Sequence, residues 1–276
     1  MSKDKIHQHD GHGGLANRRT VLKAGLATGA VLAATGLTGG QAKAAKDIYA
    51  DPKKGMLPPS DMVLDLKRTA LVITDPQKDF LHPTGVAWGV VGKSVTQNNT
   101  VPNIGRLFAA AKGAGMTVAI SPHYYYPTDD SWQFNGALEK LMHRIKMFKR
   151  KNQYSPVDNS GADFMPEYKQ YINDGKTIIT SPHKVYGPEQ NDLVLQLRKK
   201  RIDQIILAGM SANLCVESHL RELLEMGFEV AVVRDATAAA ILPEGDGYLA
   251  AIINFRFIAN ALWTTTEAVK RIQGRA

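Results

Sequence analysis

The chain has 276 residues, 44% apolar and 22% charged, which excludes a wholly disordered or fibrous protein and leaves room for one large domain or two small ones. Its single cysteine excludes an intramolecular disulfide, and without a CxxC pair or a zinc-spaced Cys/His cluster no metal site is expected. Of the formal net charge of +8, half lies in residues 1–44, with six basic and two acidic side chains, and no RNP, zinc-finger or basic-helix motif points to a nucleic-acid partner.

Residues 1–44 read as an export signal. Arg18-Arg19 with Leu22-Lys23 behind it, a small-residue apolar stretch from Ala24 to about Leu37, and Ala42-Lys43-Ala44 follow the n-region, h-region and cleavage-site order of a bacterial twin-arginine signal. The apolar run is too short and too rich in Gly, Ala and Thr for a stable membrane span. A mature protein starting near Ala45, periplasmic or extracellular, is therefore expected; a disordered basic tail is the plainer alternative. Residues 45–60 read as an extended arm and 61–276 as one domain.

Within that domain, short Val- and Ile-rich runs alternate with helix-period segments. Strands are predicted at 70–74, 117–120, 176–180, 204–209, 229–233 and 261–265, and helices at about 101–113, 138–149, 190–200, 215–226, 246–258 and 266–272. The alternation predicts an α/β fold, a three-layer α/β/α sandwich around a six-stranded, mostly parallel, Rossmann-like sheet. Ligands of such folds bind beyond the carboxyl ends of the strands. The residues that follow the strands are Asp75, His123, His183-Lys184, Cys215 and Asp235.

Cys215 taken alone reads as a buried structural residue. Its place after a strand and at the start of a helix favours a nucleophile, because unpaired backbone N–H groups there lower a thiol pKa. Lys184 is the candidate partner for the thiolate and Asp75 the candidate proton acceptor. Each also has a plain structural reading, Asp75 as a turn or cap residue before Pro76 and Lys184 as a solvated lysine. His123 and His183 read as packing or supporting residues rather than metal ligands, and Asp235 as a cap or ion-pair residue at a strand end.

The runs "ALVITDPQKDF" and "SPHKVYGPEQNDLVLQLRKKRIDQIILAGMSANLCVESHLRELLEMGFEVAVVRDATAA" resemble the isochorismatase-like cysteine hydrolases, which include nicotinamidases and N-carbamoylsarcosine amidohydrolases. The likeness spans about residues 68–268. It implies an Asp75, Lys184, Cys215 triad, a cis peptide bond at Met210-Ser211, and an oxyanion hole from the backbone N–H groups of Ser211 and Cys215. It implies hydrolysis of a small amide or carbamoyl C–N bond through a thioester, with a small-molecule substrate and no cofactor. The alternatives are an isochorismatase-type ether or ester hydrolase and a catalytically silent binding protein.

Two features depart from the pattern. The Asp/His metal cluster that nicotinamidases carry after the second strand is absent from "SPHYYYPTDDSWQF", which has His123 alone, so no bound metal is expected. The segment 123–165 reads either as a packed helix with a charged face or as a lid. Phe80, Trp88, Tyr124, Trp132 and Tyr186 are candidates for the substrate pocket, and a homo-oligomer is expected.

Overall fold

The computed structural model describes residues 47–53, 62–149 and 159–275. The proposed export signal and residues 45–46 and 54–60 of the arm lie outside the described residues. Six strands form the main sheet: β1 (Thr69–Thr74), β2 (Thr117–Ser121), β3 (Ile178–Ile179), β4 (Gln204–Met210), β5 (Glu229–Ala238) and β8 (Ala261–Trp263). A two-strand antiparallel hairpin, β6 (Ile241–Leu242) with β7 (Gly245–Asp246), lies between β5 and β8 in sequence. The sheet order is β3-β2-β1-β4-β5-β8, and every pairing in it is parallel.

A parallel sheet covered on both faces needs strands that are apolar throughout, and β1 and β4 are buried at every position. Successive side chains point to opposite faces. Leu71, Ile73, Ile206 and Ala208 therefore join the cluster that holds Leu107 and Phe108. Their neighbours Ala70, Val72, Ile205 and Leu207 join the opposite cluster, with Leu193, Leu197, Leu220 and Phe255.

The helices are α1 (Lys78–Leu81), α2 (Trp88–Gln97), α3 (Thr100–Gly113), α4 (Ala137–Arg144), α5 (Lys169–Ile172), α6 (Leu193–Lys199), α7 (Glu217–Glu225), α8 (Gly247–Ile258) and α9 (Thr265–Ile272). The sequence reading lacks α1, α2 and α5; α2 contains two glycines and three valines, weak helix formers that its packing on the core overrides. Helix α4 stops at Arg144, short of the predicted 149, because Lys146 and Phe148 take φ of 60° and 55°. That turn carries Phe148 into the core, where its ring meets Phe80 at 5.1 Å and its N–H donates to Asp79 Oδ2 at 2.6 Å. The last strand ends at Trp263 because Thr264 caps α9, accepting from the Glu267 N–H.

No helix of the described residues is long and apolar enough to cross a membrane. The part of the arm at 47–53 docks on the domain: the Tyr49 hydroxyl donates to Asp246 Oδ2 at 2.6 Å, and Asp51 pairs with Arg234 and Arg256.

One glycine is fixed by the approach of the two central strands. Gly209 has φ of 116°, and a Cβ there would lie 2.0 Å from the Thr74 carbonyl oxygen. Gly209→Ala is expected to lower the unfolding free energy by about 3 kcal/mol or more, since both the dihedral and the backbone clash oppose it. Urea denaturation checks this; an unchanged midpoint would show that the strand ends separate easily.

Candidate active site

Strands β2 and β3 lie to one side of β1, while β4, β5 and β8 lie to the other. The chain thus reverses direction across the sheet between β1 and β4, and their carboxyl ends open a crevice between diverging connections. Asp75 follows β1, and Cys215 follows β4 by five residues, so the topology delivers both to that crevice. His123 follows β2 and His183 follows β3, and an isolated parallel bridge couples these two residues.

The four side chains meet. One ligand atom from each of Asp75, His123, His183 and Cys215 lies within 4.8 Å of those of the other three, and all four residues are buried. His183 Nε2 stands 2.8 Å from Asp75 Oδ1. Asp75 itself has φ of 46°, a left-handed conformation that Asp tolerates better than most residues, and its N–H donates to the Ser121 carbonyl. Gln77 grips the backbone of His123 from both sides: its Nε2 donates to the carbonyl at 2.6 Å and its Oε1 accepts from the N–H at 2.8 Å.

The approach to Cys215 is a cis Met210-Ser211 peptide bond followed by a wide π-helical turn, Ala212–Val216, closed by the Val216 N–H on the Ser211 carbonyl at 3.1 Å. Such wide turns are frequent at functional sites. The N–H groups of Ser211 and Cys215 both act on the Cys215 sulfur and pull its pKa down, as the reading of a helix start anticipates. Burial, followed by the adjacent Asp75 carboxylate, outweighs them and pushes the thiol well above its ordinary value. The net direction is upward, against the lowering expected from the helix start alone.

Burial also raises Asp75 to about 6, against the opposing influences of His123, His219 and the Cys215 thiol. Burial pushes His123, His183 and His219 down to about 3, which leaves all three neutral near pH 7. At that pH an ionised Asp75 accepts the Nε2–H of a neutral His183. Among the described residues its second oxygen, Oδ2, has no partner of normal hydrogen-bond geometry, although the thiol acts on the carboxylate as a weak donor.

Lys184 departs from the triad expected of it. Its ammonium pairs with Asp129 and lies 3.6 Å over the Tyr126 ring, and among the described residues no hydrogen bond or ion pair joins it to Asp75 or Cys215. His183 is held by its bridge to His123, whereas Lys184 begins the bend that follows and pairs with Asp129 in the 127–131 turn. His183 therefore holds the position beside the carboxylate. His219, which the sequence reading did not single out, supports the Cys215 backbone. It sits four residues beyond Cys215, and its Nδ1–H donates to the Cys215 carbonyl at 2.7 Å. Its Nε2 accepts from the Ser121 hydroxyl at 2.8 Å, which in turn accepts from Asn191.

The expected pocket residues divide. Burial raises the pKa of Tyr186, with Glu139 and Cys215 adding to it, which places this ring in the electrostatic reach of the sulfur. Tyr125, in the aromatic run after β2, shares that influence. Tyr124 borders Tyr126 at 5.7 Å, and Trp132 packs on Tyr125 at 5.8 Å, so both belong to the aromatic wall after β2. Phe80 is a core residue, and Trp88 lines a cavity of about 400 Å³ whose walls include neither Asp75 nor Cys215. Asp235 lies within β5, which runs on past the predicted end at 233, and instead of closing that strand it holds the start of α9, accepting from the N–H and hydroxyl of Thr265.

With this geometry in view, comparison with known proteins is decisive. The isochorismatase domain family matches residues 69–267. The chain belongs to that family. It is an isochorismatase-family hydrolase, 49% identical over 186 residues to the family protein YecD of Escherichia coli O157:H7, covering 64% of this chain and 83% of that one. The ureidoacrylate amidohydrolase RutB of Variovorax paradoxus is 24% identical over 213 residues, covering 74% of this chain and 82% of its own. A cysteine hydrolase from Pseudomonas syringae pv. phaseolicola shares the fold with a TM-score of 0.66 at 22% identity, over 80% of this chain and all of that one.

Proposed function

We propose that this isochorismatase-family chain is a cysteine amidohydrolase that cleaves the C–N bond of a small amide or carbamoyl compound through a thioester. The reading rests above all on the buried contact of Asp75 with both His183 and Cys215, beside the N–H groups of Ser211 and Cys215. The similarity to ureidoacrylate amidohydrolases supports the substrate class.

In this mechanism ionised Asp75 takes the thiol proton as the sulfur attacks the carbonyl carbon, so that no free thiolate is needed at rest. The carbonyl π pair moves onto oxygen, where the N–H groups of Ser211 and Cys215 hold the charge. Asp75 then passes its proton to the departing nitrogen as the C–N bond breaks. It next draws a proton from the water that attacks the thioester, and Cys215 leaves as the thiol. His183 orients the carboxylate by occupying Oδ1 and leaving Oδ2 to the thiol. Ammonia release, measured over a panel of small amides, carbamoyl compounds and isochorismate, tests the reading. Turnover of isochorismate alone would favour an ether hydrolase, and no turnover of any member a silent binding protein.

The resemblance assigns the third catalytic place to Lys184, whereas the geometry favours His183 as the positioning residue. Paired substitutions separate them. His183→Gln is expected to shift the acid limb of the pH profile and lower kcat by about 100-fold, while Lys184→Met leaves that limb in place. The reverse pattern would restore Lys184.

Export by the twin-arginine route and a homo-oligomeric state complete the proposal. The pattern of residues 18–44 supports the first, and Phe134 and Phe257, 95% and 63% exposed, support the second. Amino-terminal sequencing and sedimentation of the exported protein check both; the expected result is a start near Ala45 and a mass above that of one chain.

A further inference from the structure

We infer that Asp75, His123, His183 and Cys215 form a four-ligand zinc site, and that the bound ion holds the nucleophile captive. The residues converge from the ends of four adjacent strands, and one ligand atom from each already lies within 4.8 Å of the others. Tetrahedral zinc with ligands at about 2.0–2.3 Å sets them roughly 3.3–3.8 Å apart, so closing around the ion needs a contraction of about 1 Å. This set differs from the nicotinamidase cluster of the sequence reading, because it enlists the proposed nucleophile and base.

Unsatisfied atoms belong to the same residues. Among the described residues, both ring nitrogens of His123, Nδ1 of His183 and Oδ2 of Asp75 are buried without a hydrogen-bond partner of normal geometry. His123 is 1% exposed and His183 and Asp75 are fully buried. A buried imidazole with neither nitrogen in a hydrogen bond of normal geometry, as in His123, is poorly repaid for its lost hydration, and one unpartnered atom each on neighbouring His183 and Asp75 adds to what favours a cation that takes lone pairs. The donor set selects the ion. One thiolate, two imidazoles and one carboxylate suit borderline-soft, four-coordinate Zn²⁺ and disfavour the oxygen-seeking Mg²⁺ and Ca²⁺.

Charge balance agrees, since two anionic and two neutral ligands cancel the dication, and a neutral cluster is the form a buried site accepts. On binding, the Cys215 S–H bond breaks, the S–Zn bond forms from the sulfur pair, and the proton leaves to solvent. The supporting shell is in place: Gln77 clamps His123, and His219 holds the Cys215 carbonyl. Because zinc occupies both the sulfur and the carboxylate, the loaded chain performs no acyl transfer.

Cobalt(II) titration of the metal-stripped full chain tests the assignment. Cys215 is the only sulfur of its kind in 276 residues, so a thiolate-to-cobalt charge-transfer band can arise from no other thiol. One equivalent of Co²⁺ is expected to produce the band and Zn²⁺ to abolish it by displacement. Cys215→Ser should remove it, and His123→Ala should weaken Co²⁺ binding by about 100-fold. No band in the wild-type chain, or undiminished affinity in His123→Ala, overturns the site. Ammonia release by the metal-free chain without a band leaves the amidohydrolase standing and the zinc site refuted. A band without turnover of any amide does the reverse, and hydrolysis that persists with zinc bound refutes the capture of the nucleophile.

Discussion

Asp75→Asn is expected to move two measurements in opposite directions. The hydrolysis rate should fall by about 10³-fold, because the amide can neither accept the thiol proton nor return it to the leaving nitrogen. Alkylation of the same thiol should become faster, by roughly tenfold at pH 8, because the carboxylate next to the sulfur is one of the influences that hold it protonated. A residue that merely supported the fold would not separate the two rates. If both fell together, Asp75 would be acting through structure; if alkylation slowed while hydrolysis survived, the base would lie elsewhere.

The wild-type pH profile follows from the same carboxylate. Burial raises Asp75 to about 6, and the group works only when ionised. The value of kcat/KM should therefore climb as pH rises through about 6 and lose its slope above it. Were the pKa instead set by an ion pair with Lys184, the limb would lie below the ordinary carboxylate range. An acid limb near 3 would thus remove the argument from burial.

The second large effect is the loss of the proposed nucleophile. Cys215→Ala should reduce amide hydrolysis by about 10⁴-fold or more, since the thioester route disappears and only binding and the two N–H groups remain. Removing one sulfur from a residue 3% exposed costs about 1 kcal/mol of stability, far too little to unfold the chain and explain such a loss. Thermal denaturation alongside the assay keeps the two apart. Retained turnover in a folded Cys215→Ala chain would favour a reaction that needs no covalent intermediate, such as ether cleavage.

Much of this protein was legible before any coordinates. Short Val- and Ile-rich runs spaced by helical periods specify a covered parallel sheet, because only strands buried on both faces tolerate such continuous apolarity. The position of Asp75 and Cys215 after two of those strands was equally visible, as was the Gly-Met-Ser approach to the thiol. These signals are local, carried by neighbours along the chain.

Tertiary structure alone decided who meets whom. Nothing local distinguishes His183 from Lys184, and the choice falls on the histidine because a bridge to His123 holds it where it meets Asp75. The protonation of the thiol was likewise hidden, since the helix start that lowers its pKa is read from sequence while the burial and neighbouring carboxylate that raise it exist only after folding. Periodicity determines which faces are covered; strand order and register determine which atoms converge, because those depend on residues far apart along the chain.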